Sequence, residues 1–491
     1  MFTFLHQHST DITESIITDS ESDRNQRIKN QHEPALSEND IQRTEQQKDY
    51  NPKNWNKSRK WAVTSLVSLS AFIAPVSSTM VAPSLTAIAT DLSMANWVEI
   101  QLILSIFILG YVVGPLILGP LSEIYGRAPI LHMSISFYLI WNTCCGFAQN
   151  KQQLLIFRFL SGFGAGAPLA VGPGIMSDIW RPEERGKSLG MYNFVPLLGN
   201  AIGPIAGGFI TQNVSWRWPF HITSAFAAAL ILLGLLVLPE TYLPVLQKRG
   251  SKKQGKPVND KGLGTTLGRA LWRPFQLLAT ETIIQFLAVY LAYLWGITYL
   301  VFSTFAVLWT DVYQESIGIS SLNYISLGLG LWLGTLLSAF INDHSYRKLK
   351  ERNGDIGKPE FRVVGIIIGS LLVPIGLFLY GWSAQSHVSW IAPDIGTCVF
   401  GIGIDIMLSS VQAYIIDSYP SITASASAAT NVVKCLAGFS FPLFAPSLYA
   451  ALGYGWGNTI LGLVAIVIGW PAPFALWKFG EKIRTKSQFC N

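Results

Sequence analysis

Three ionisable side chains stand in or beside long apolar runs, where little water can stabilise a charge. Arg158 lies in Leu154-Leu-Ile-Phe-Arg-Phe-Leu-Ser-Gly162, Asp405 in Gly401-Ile-Gly-Ile-Asp-Ile-Met407, and Glu99 opens a run that ends near Pro120. A charge at the centre of a membrane helix costs about 2.5–3.5 kcal/mol on insertion scales, so it normally faces a bundle interior, a wet cavity or a partner. For Arg158, nearer the end of its run, the cost is smaller; bonding the carbonyls of a neighbouring helix is the simpler alternative to a part in proton coupling. A carboxyl at mid-membrane, such as Asp405, has its pKa raised from about 4 because burial penalises the charged form. It can therefore take a proton on one side and release it on the other; a structural hydrogen bond is the alternative. Glu99 is a second candidate for proton uptake, or else a solvated rim group. Lys434, in a later run, has the long stem of a snorkelling side chain.

Charges of both signs also flank the runs. Glu123 and Arg127 sit in one short link, and Asp178, Arg181 and Arg185 in another. Exposed pairs are worth only about 0–1 kcal/mol each, which suits a gate that opens repeatedly as well as it suits ordinary solvated loops. No paired acids or histidine cluster lies within the apolar runs, so a membrane-embedded enzyme has no visible catalytic residues. The absence of a G-x-x-x-x-G-K-[ST] loop argues against ATP-driven chemistry. Cys144, Cys145, Cys398, Cys435 and Cys490 show neither metal spacing nor a paired framework and read as packing residues. No metal and no cofactor are expected.

The elements that must position these groups are membrane helices. Half of the 491 residues are apolar and only 13% are charged, about half the charge of a soluble chain. The apolar residues fall into twelve blocks: 61–83, 99–120, 130–148, 154–176, 189–210, 218–238, 282–306, 323–342, 363–382, 392–414, 424–450 and 457–477. Each approximates the ~20 residues that an α-helix needs to cross a bilayer, and helices satisfy their own backbone there. Residues 1–60 read as a disordered cytoplasmic tail that ends in Lys53, Lys57, Arg59 and Lys60. No cleavable signal peptide is visible, so the first span is expected to direct its own insertion. The links after even-numbered spans carry nearly all the basic residues; the others hold only Lys151 and Arg217. That division predicts both termini in the cytoplasm. It also argues against nucleic acid as a partner, since the net charge of +6 is spread over loops rather than gathered in one patch. The link 239–281 separates six spans (61–238) from six more (282–477), and 478–491 form a short tail. The sequon Asn213-Val-Ser215 sits so close to two spans that it is expected to be unmodified.

Glycines give a second pattern. Gly199, Gly203 and Gly207 recur at four-residue steps, with Pro204 and Gly208 beside them. Such a stripe lets a partner helix approach closely, and the proline loosens its own helix. In the seventh span Tyr290, Tyr293, Tyr299 and Phe302 stand at helical steps. They could line a cavity for flat apolar molecules or simply pack a helix.

These motifs resemble a known family. Gly119-Pro-Leu-Ser-Glu-Ile-Tyr-Gly126-Arg127 resembles the link between helices 2 and 3 of the major facilitator superfamily, G-x-L-(a)-D-x-x-G-R. Gly119, Leu121, Gly126 and Arg127 match, while Glu123 replaces the usual Asp and Ala128 a second basic residue. Arg158 with Gly162 and Gly164 is similar to the helix-4 pattern R-x-x-x-G-x-G, which the family associates with proton coupling. Gly199 through Gly208 is similar to the helix-5 motif of the superfamily's antiporters. Asn51-Pro-Lys-Asn-Trp55, Trp216-Arg-Trp-Pro-Phe-His221, Pro239-Glu-Thr-Tyr242, Pro359-Glu-Phe-Arg362 and Asp417-Ser-Tyr-Pro420 resemble the fungal twelve-span drug:proton antiporters. Asp405 is outside that pattern, and Lys434 stands where the pattern usually has Arg.

The resemblance implies an all-α polytopic protein of twelve helices in two six-helix bundles, with its substrate bound between them. It implies a secondary exporter of small amphipathic compounds (drugs, toxins or secondary metabolites), working by proton antiport and alternating access as a plasma-membrane monomer. Proton coupling would fall to Arg158, Asp405 and Glu99. Gating would fall to Gly119, Glu123, Gly126, Arg127, Asp178, Arg181 and Arg185. Proton-coupled uptake, including that of polyamines, is the alternative that the fifth-span motif opposes. A receptor without transport would carry a long signalling tail, whereas 14 residues follow the last span.

Overall fold

Three early helices begin where an asparagine offers its side chain to free backbone N–H groups. The Oδ1 atoms of Asn56, Asn96 and Asn150 accept from the N–H groups of Arg59, Val98 and Gln153, each at 2.9 Å; such caps stabilise a helix start by about 1 kcal/mol. The computed structural model describes residues 52–181, 184–253, 263–420, 422–485 and 487. The tail expected at 1–60 therefore lies outside the described residues up to Asn51, as do 254–262 of the central link and most of 486–491. Residues Pro52–Asn54 form a single 3-10 turn; the rest, Trp55–Asn491, is one unit.

That unit is helical, with no strand among the described residues. The first half comprises α1 (Lys57–Thr79), α2 (Leu85–Asp91), α3 (Trp97–Tyr125), α4 (Arg127–Gly146), α5 (Lys151–Ala165), α6 (Ala167–Ile179), α7 (Arg185–Asn213) and α8 (Trp218–Val237). The link contributes α9 (Leu243–Lys253) and α10 (Leu263–Thr280). The second half comprises α11 (Thr282–Asp311), α12 (Ile317–Leu322), α13 (Tyr324–Arg352), α14 (Val363–Gln385), α15 (Ile391–Ser418), α16 (Thr423–Gly469) and α17 (Pro471–Arg484).

Ten of these stretches are long and apolar enough to cross a membrane by length and composition. Two further passes complete the expected twelve. Helix α4 falls short in apolarity because it carries His132, Ser134, Asn142 and Thr143. The stretch Ser425–Arg484 counts once but holds two passes, because Gly453 (φ 72°, ψ 173°) turns the chain back within α16. The Tyr449 and Tyr454 rings stack across this reversal at 4.8 Å.

Two features of the links differ from the expectation. The stretch 119–127 is not a loop: α3 continues through it to Tyr125, and Gly126 alone makes the turn into α4. Its φ of 110° is a backbone region that side-chain-bearing residues avoid. The link 239–281 is largely helical, and its α10 lies against α3, α11 and α16, touching both halves.

Close packing follows a repeat. Gly110 and Gly114 of α3 lie against the backbone of Phe159 and Phe163 in α5, and Gly330 and Gly334 of α13 lie against Cys398 and Ile402 in α15. The second and fourth spans of each half thus meet through the same small-residue step. The face where α3 ends and α4 begins carries the Lys- and Arg-rich links and is termed the basic face. Toward the opposite face one continuous core joins both halves, including Met80, Leu85, Ile103 and Phe220 of the first and Tyr299, Phe305 and Tyr449 of the second. Nearer the basic face, Leu118, Ile130, Ile175 and Trp180 belong to a separate core built from the first half alone.

Candidate functional site

Helix α1 stops at Thr79, leaving its last carbonyls without intrahelical donors. Arg158 of α5 supplies one. Its Nη1 donates to the Ser77 carbonyl (2.9 Å) and its Nε to the Ile103 carbonyl of α3 (3.1 Å). The guanidinium stands 4.5 Å from the Phe107 ring centroid and 5.8 Å from that of Phe220, and the side chain is fully buried. This approach needs Gly162, where a Cβ would overlap the Phe107 carbonyl. The ionisable groups that act on Arg158 are Cys145, Tyr138 and Tyr299, with no carboxylate among them. The carbonyl-bonding alternative thus describes the ground-state geometry, and Nη2 has no hydrogen-bond partner.

Beside Arg158 the two halves touch through polar groups. Ser78 Oγ lies 3.4 Å from Tyr299 Oη across the interface, and within the first half the adjacent Ser77 Oγ is 2.5 Å from Tyr138 Oη. The Tyr299 ring packs on Trp295 (5.6 Å between centroids), and Lys434 Nζ of α16 stands 4.4 Å over Trp295. Of the four aromatic residues expected to line a cavity, only Tyr299 makes a hydrogen-bonding contact with the other half. Tyr290, Tyr293 and Phe302 are buried in the continuous core on partners from the second half: Tyr293 donates to the Leu461 carbonyl, and Phe302 stacks on Tyr324. The helical step that suggested a stripe is satisfied on all sides, because most of α11 is buried.

Asp405 occupies a different place. Thr335 Oγ1 of α13 donates to its Oδ2 (2.9 Å), and Ser409 Oγ lies 3.5 Å away. Among the described residues these two hydroxyls are its hydrogen-bond partners, while Arg158 bonds Ser77 and Ile103, so the two are not brought together. Glu99 is tied at the opposite face to Lys151, 2.7 Å away, with both side chains about a third exposed. That arrangement is the rim pair rather than an unpaired intramembrane acid.

At the basic face Arg127 is the hub. Its guanidinium lies 3.6 Å from Asp178 and 3.9 Å from Glu123, donates to Ser122 Oγ (2.7 Å) and stands 4.8 Å from the Tyr242 ring. Its backbone N–H donates to Glu240 Oε1 (3.0 Å), which also accepts from the N–H groups of Thr241 and Tyr242. Gly126 is required here, since a Cβ would strike the Glu240 carboxylate, whereas Gly119 has room for one. Arg185 donates to the Ser177 carbonyl (3.3 Å), and Arg181 is exposed. These contacts join the first half to the start of the link and include no residue of the second half. The second half repeats the arrangement: Arg362, at the start of α14, pairs with Asp417 at the end of α15 (2.8 Å) and stands 4.5 Å from the Tyr346 ring. Glu240, Arg362 and Asp417 were visible only as family signatures. The repeat, an Arg opening the third span and an Asp closing the fourth of each half, is the signal that points to them.

The glycine stripe meets α1. A Cβ on Gly203 would crowd the Thr79 side chain and the Val76 carbonyl, and one on Gly207 would overlap the Met80 carbonyl; Gly199 lies on Pro75. Pro204 is buried beside them. Gly208 faces the other half, against Ser321.

Comparison with known proteins agrees with this architecture. A sequence profile described as "Major Facilitator Superfamily" matches residues 67–442. The chain is 47% identical over 450 residues to the efflux pump vrtL of Penicillium aethiopicum, covering 90% of this chain and 89% of that protein. It is 38% identical to the MFS-type transporter oryF of Aspergillus oryzae, covering 89% and 92%. Its fold is similar to the inward-open conformation of the xylose transporter XylE from E. coli, with a TM-score of 0.64 at 15% identity, covering 86% and 96%.

Proposed function

We propose that this chain, which belongs to the major facilitator superfamily, exports small amphipathic organic compounds in exchange for protons. It is a multi-pass membrane transporter rather than an enzyme, and transporters of this family bind small-molecule substrates. The observation that carries the export reading is the 47% identity, over nine-tenths of both chains, to a protein named an efflux pump. The stripe Gly199–Gly207 packed on α1 supports it, because this motif resembles that of antiporters.

In this reading the basic face is cytoplasmic, in the plasma membrane, and both chain ends lie on it. The bundles 61–238 and 282–477 rock about the seam at Ser78 and Tyr299, as a monomer, with 239–281 as their link. The core that joins the halves toward the opposite face, and the separate core toward the basic face, fit a state open to the cytoplasm. Asp405, held only by hydroxyls, carries the proton. Arg158 couples the halves by holding the end of α1. Glu99 with Lys151, and the Arg127 hub, latch the two faces. Purified protein in liposomes tests this: an imposed proton gradient should drive a fluorescent amphipathic dye against its concentration gradient, in the direction opposite to proton flow. Movement of dye and protons in the same direction would replace export with uptake.

A further inference from the structure

Among the described residues, the mid-membrane seam between the halves holds two cations and no acid. Arg158 is held by carbonyls and aromatic faces alone. Lys434 rests on the Trp295 ring at 4.4 Å, and among the described residues it has no carboxylate in ion-pair contact. Among the described residues, the acid of the nearby spans, Asp405, interacts with Thr335 and Ser409 and with neither cation. Glu99 is neutralised by Lys151 at the rim. The two cations flank one continuous set of contacts: Arg158 to Ser77, then Ser78 to Tyr299, Tyr299 to Trp295, and Trp295 to Lys434.

An ammonium withdrawn from water without a counter-charge is costly. The Trp295 face offsets part of that cost, but a ring takes up no net charge. Lys434 keeps part of its surface exposed, while Arg158 is fully buried behind the Ser77–Ser78 segment. We infer that this seam binds the anionic group of an aromatic organic acid, with Lys434 as its ion-pair partner and Trp295 and Tyr299 as the surface for its ring. The inference names the substrate class for the exporter proposed above and rests on that reading only for the direction of transport. A cationic ligand would face both positive groups with no compensating acid and would be repelled.

Three probes with one naphthalene ring isolate the charge: 2-naphthoate, 2-naphthamide and 2-naphthylmethylammonium. Equilibrium binding is measured on the full-length protein in detergent. A hydrogen-bonded charge pair corresponds to about tenfold to hundredfold in affinity. The wild type should therefore bind the naphthoate at least about tenfold more tightly than the amide, and the ammonium most weakly. Lys434→Gln should bring the naphthoate to the level of the amide, and Lys434→Arg should keep the preference. The inference is overturned if the ammonium or the amide binds as well as the naphthoate, or if the wild type shows no saturable naphthoate binding. Unchanged naphthoate affinity in a Lys434→Gln protein that elutes as wild type also overturns it. Should Lys434→Gln not fold, the ranking of the three probes on the wild type decides. Binding does not depend on direction, so a naphthoate preference in a protein that imports would sink the export reading and leave this one standing.

Discussion

At the scale of single residues, the interior charges stand apart from one another. Arg158→Lys keeps the positive charge but loses the planar fork that reaches two helices at once. A lysine can hold the Ser77 or the Ile103 carbonyl, not both in the present geometry. Losing one charged hydrogen bond costs about 1.5–3 kcal/mol, so proton-driven efflux in liposomes should fall at least about tenfold, while substrate exchange without a gradient persists. Equal loss of exchange would make Arg158 a structural clamp only. Asp405→Asn preserves shape but cannot release a proton. Efflux by this variant should no longer respond to the pH gradient, whereas Asp405→Glu should retain a partial response; a wild-type pH profile for Asp405→Asn would leave Asp405 a hydrogen-bonding group for Thr335. These charges were legible in the sequence because apolar neighbours isolate them. Their partners were not. Arg158 binds one carbonyl at the end of α1 and one within α3, and a backbone carbonyl has no side-chain signature. Lys434 meets an aromatic face 139 positions away in sequence (434 − 295).

At the scale of elements, small residues decide which helices touch. In lipid no hydrophobic force drives helices together, so packing depends on close backbone approach. Gly203→Leu would push α7 from α1 at Thr79 and Val76, whereas Ile202 is 45% exposed and points away. Overpacking of this kind costs about 1–3 kcal/mol or more. The expected outcome is a lower melting temperature and impaired transport for Gly203→Leu, with neither effect for Ile202→Leu; equal behaviour of the two would contradict the α1–α7 contact. The stripe itself was readable from spacing alone, but its partner helix was not. Span positions were also readable, because apolar runs of bilayer length have few other uses. The turns were harder to read. A continuous helix to Tyr125 followed by a one-residue turn at Gly126 looks, in sequence, like a polar loop. The turn is fixed by the Glu240 carboxylate, which arrives from the start of the link 239–281.

At the scale of the whole molecule, alternating access requires the contacts between halves to break on one face as they form on the other. Toward the face opposite Arg127 the halves are held by α7 against α12: the Gly318 N–H donates to Gln212 Oε1, and Gly208 lies on Ser321. Toward the basic face the first half has a core of its own, and α10 of the link lies against both sides. An asymmetry of this kind is a property of one state, so a covalent bond at Gln212 and Gly318 should trap that state. In a double Cys variant, Gln212→Cys with Gly318→Cys, a disulfide would close an interface that must open in every cycle. Oxidation should abolish efflux, and reduction should restore it. Either single variant should be insensitive to both treatments, since no partner thiol is then in reach. Oxidised protein should still bind ligand from the basic face and exclude a membrane-impermeant thiol reagent presented from the opposite one. If the cross-linked protein transported at the uncrosslinked rate, the α7–α12 contact would be a fixed hinge rather than a closed gate. The moving interface would then have to lie along α3 and α16 instead.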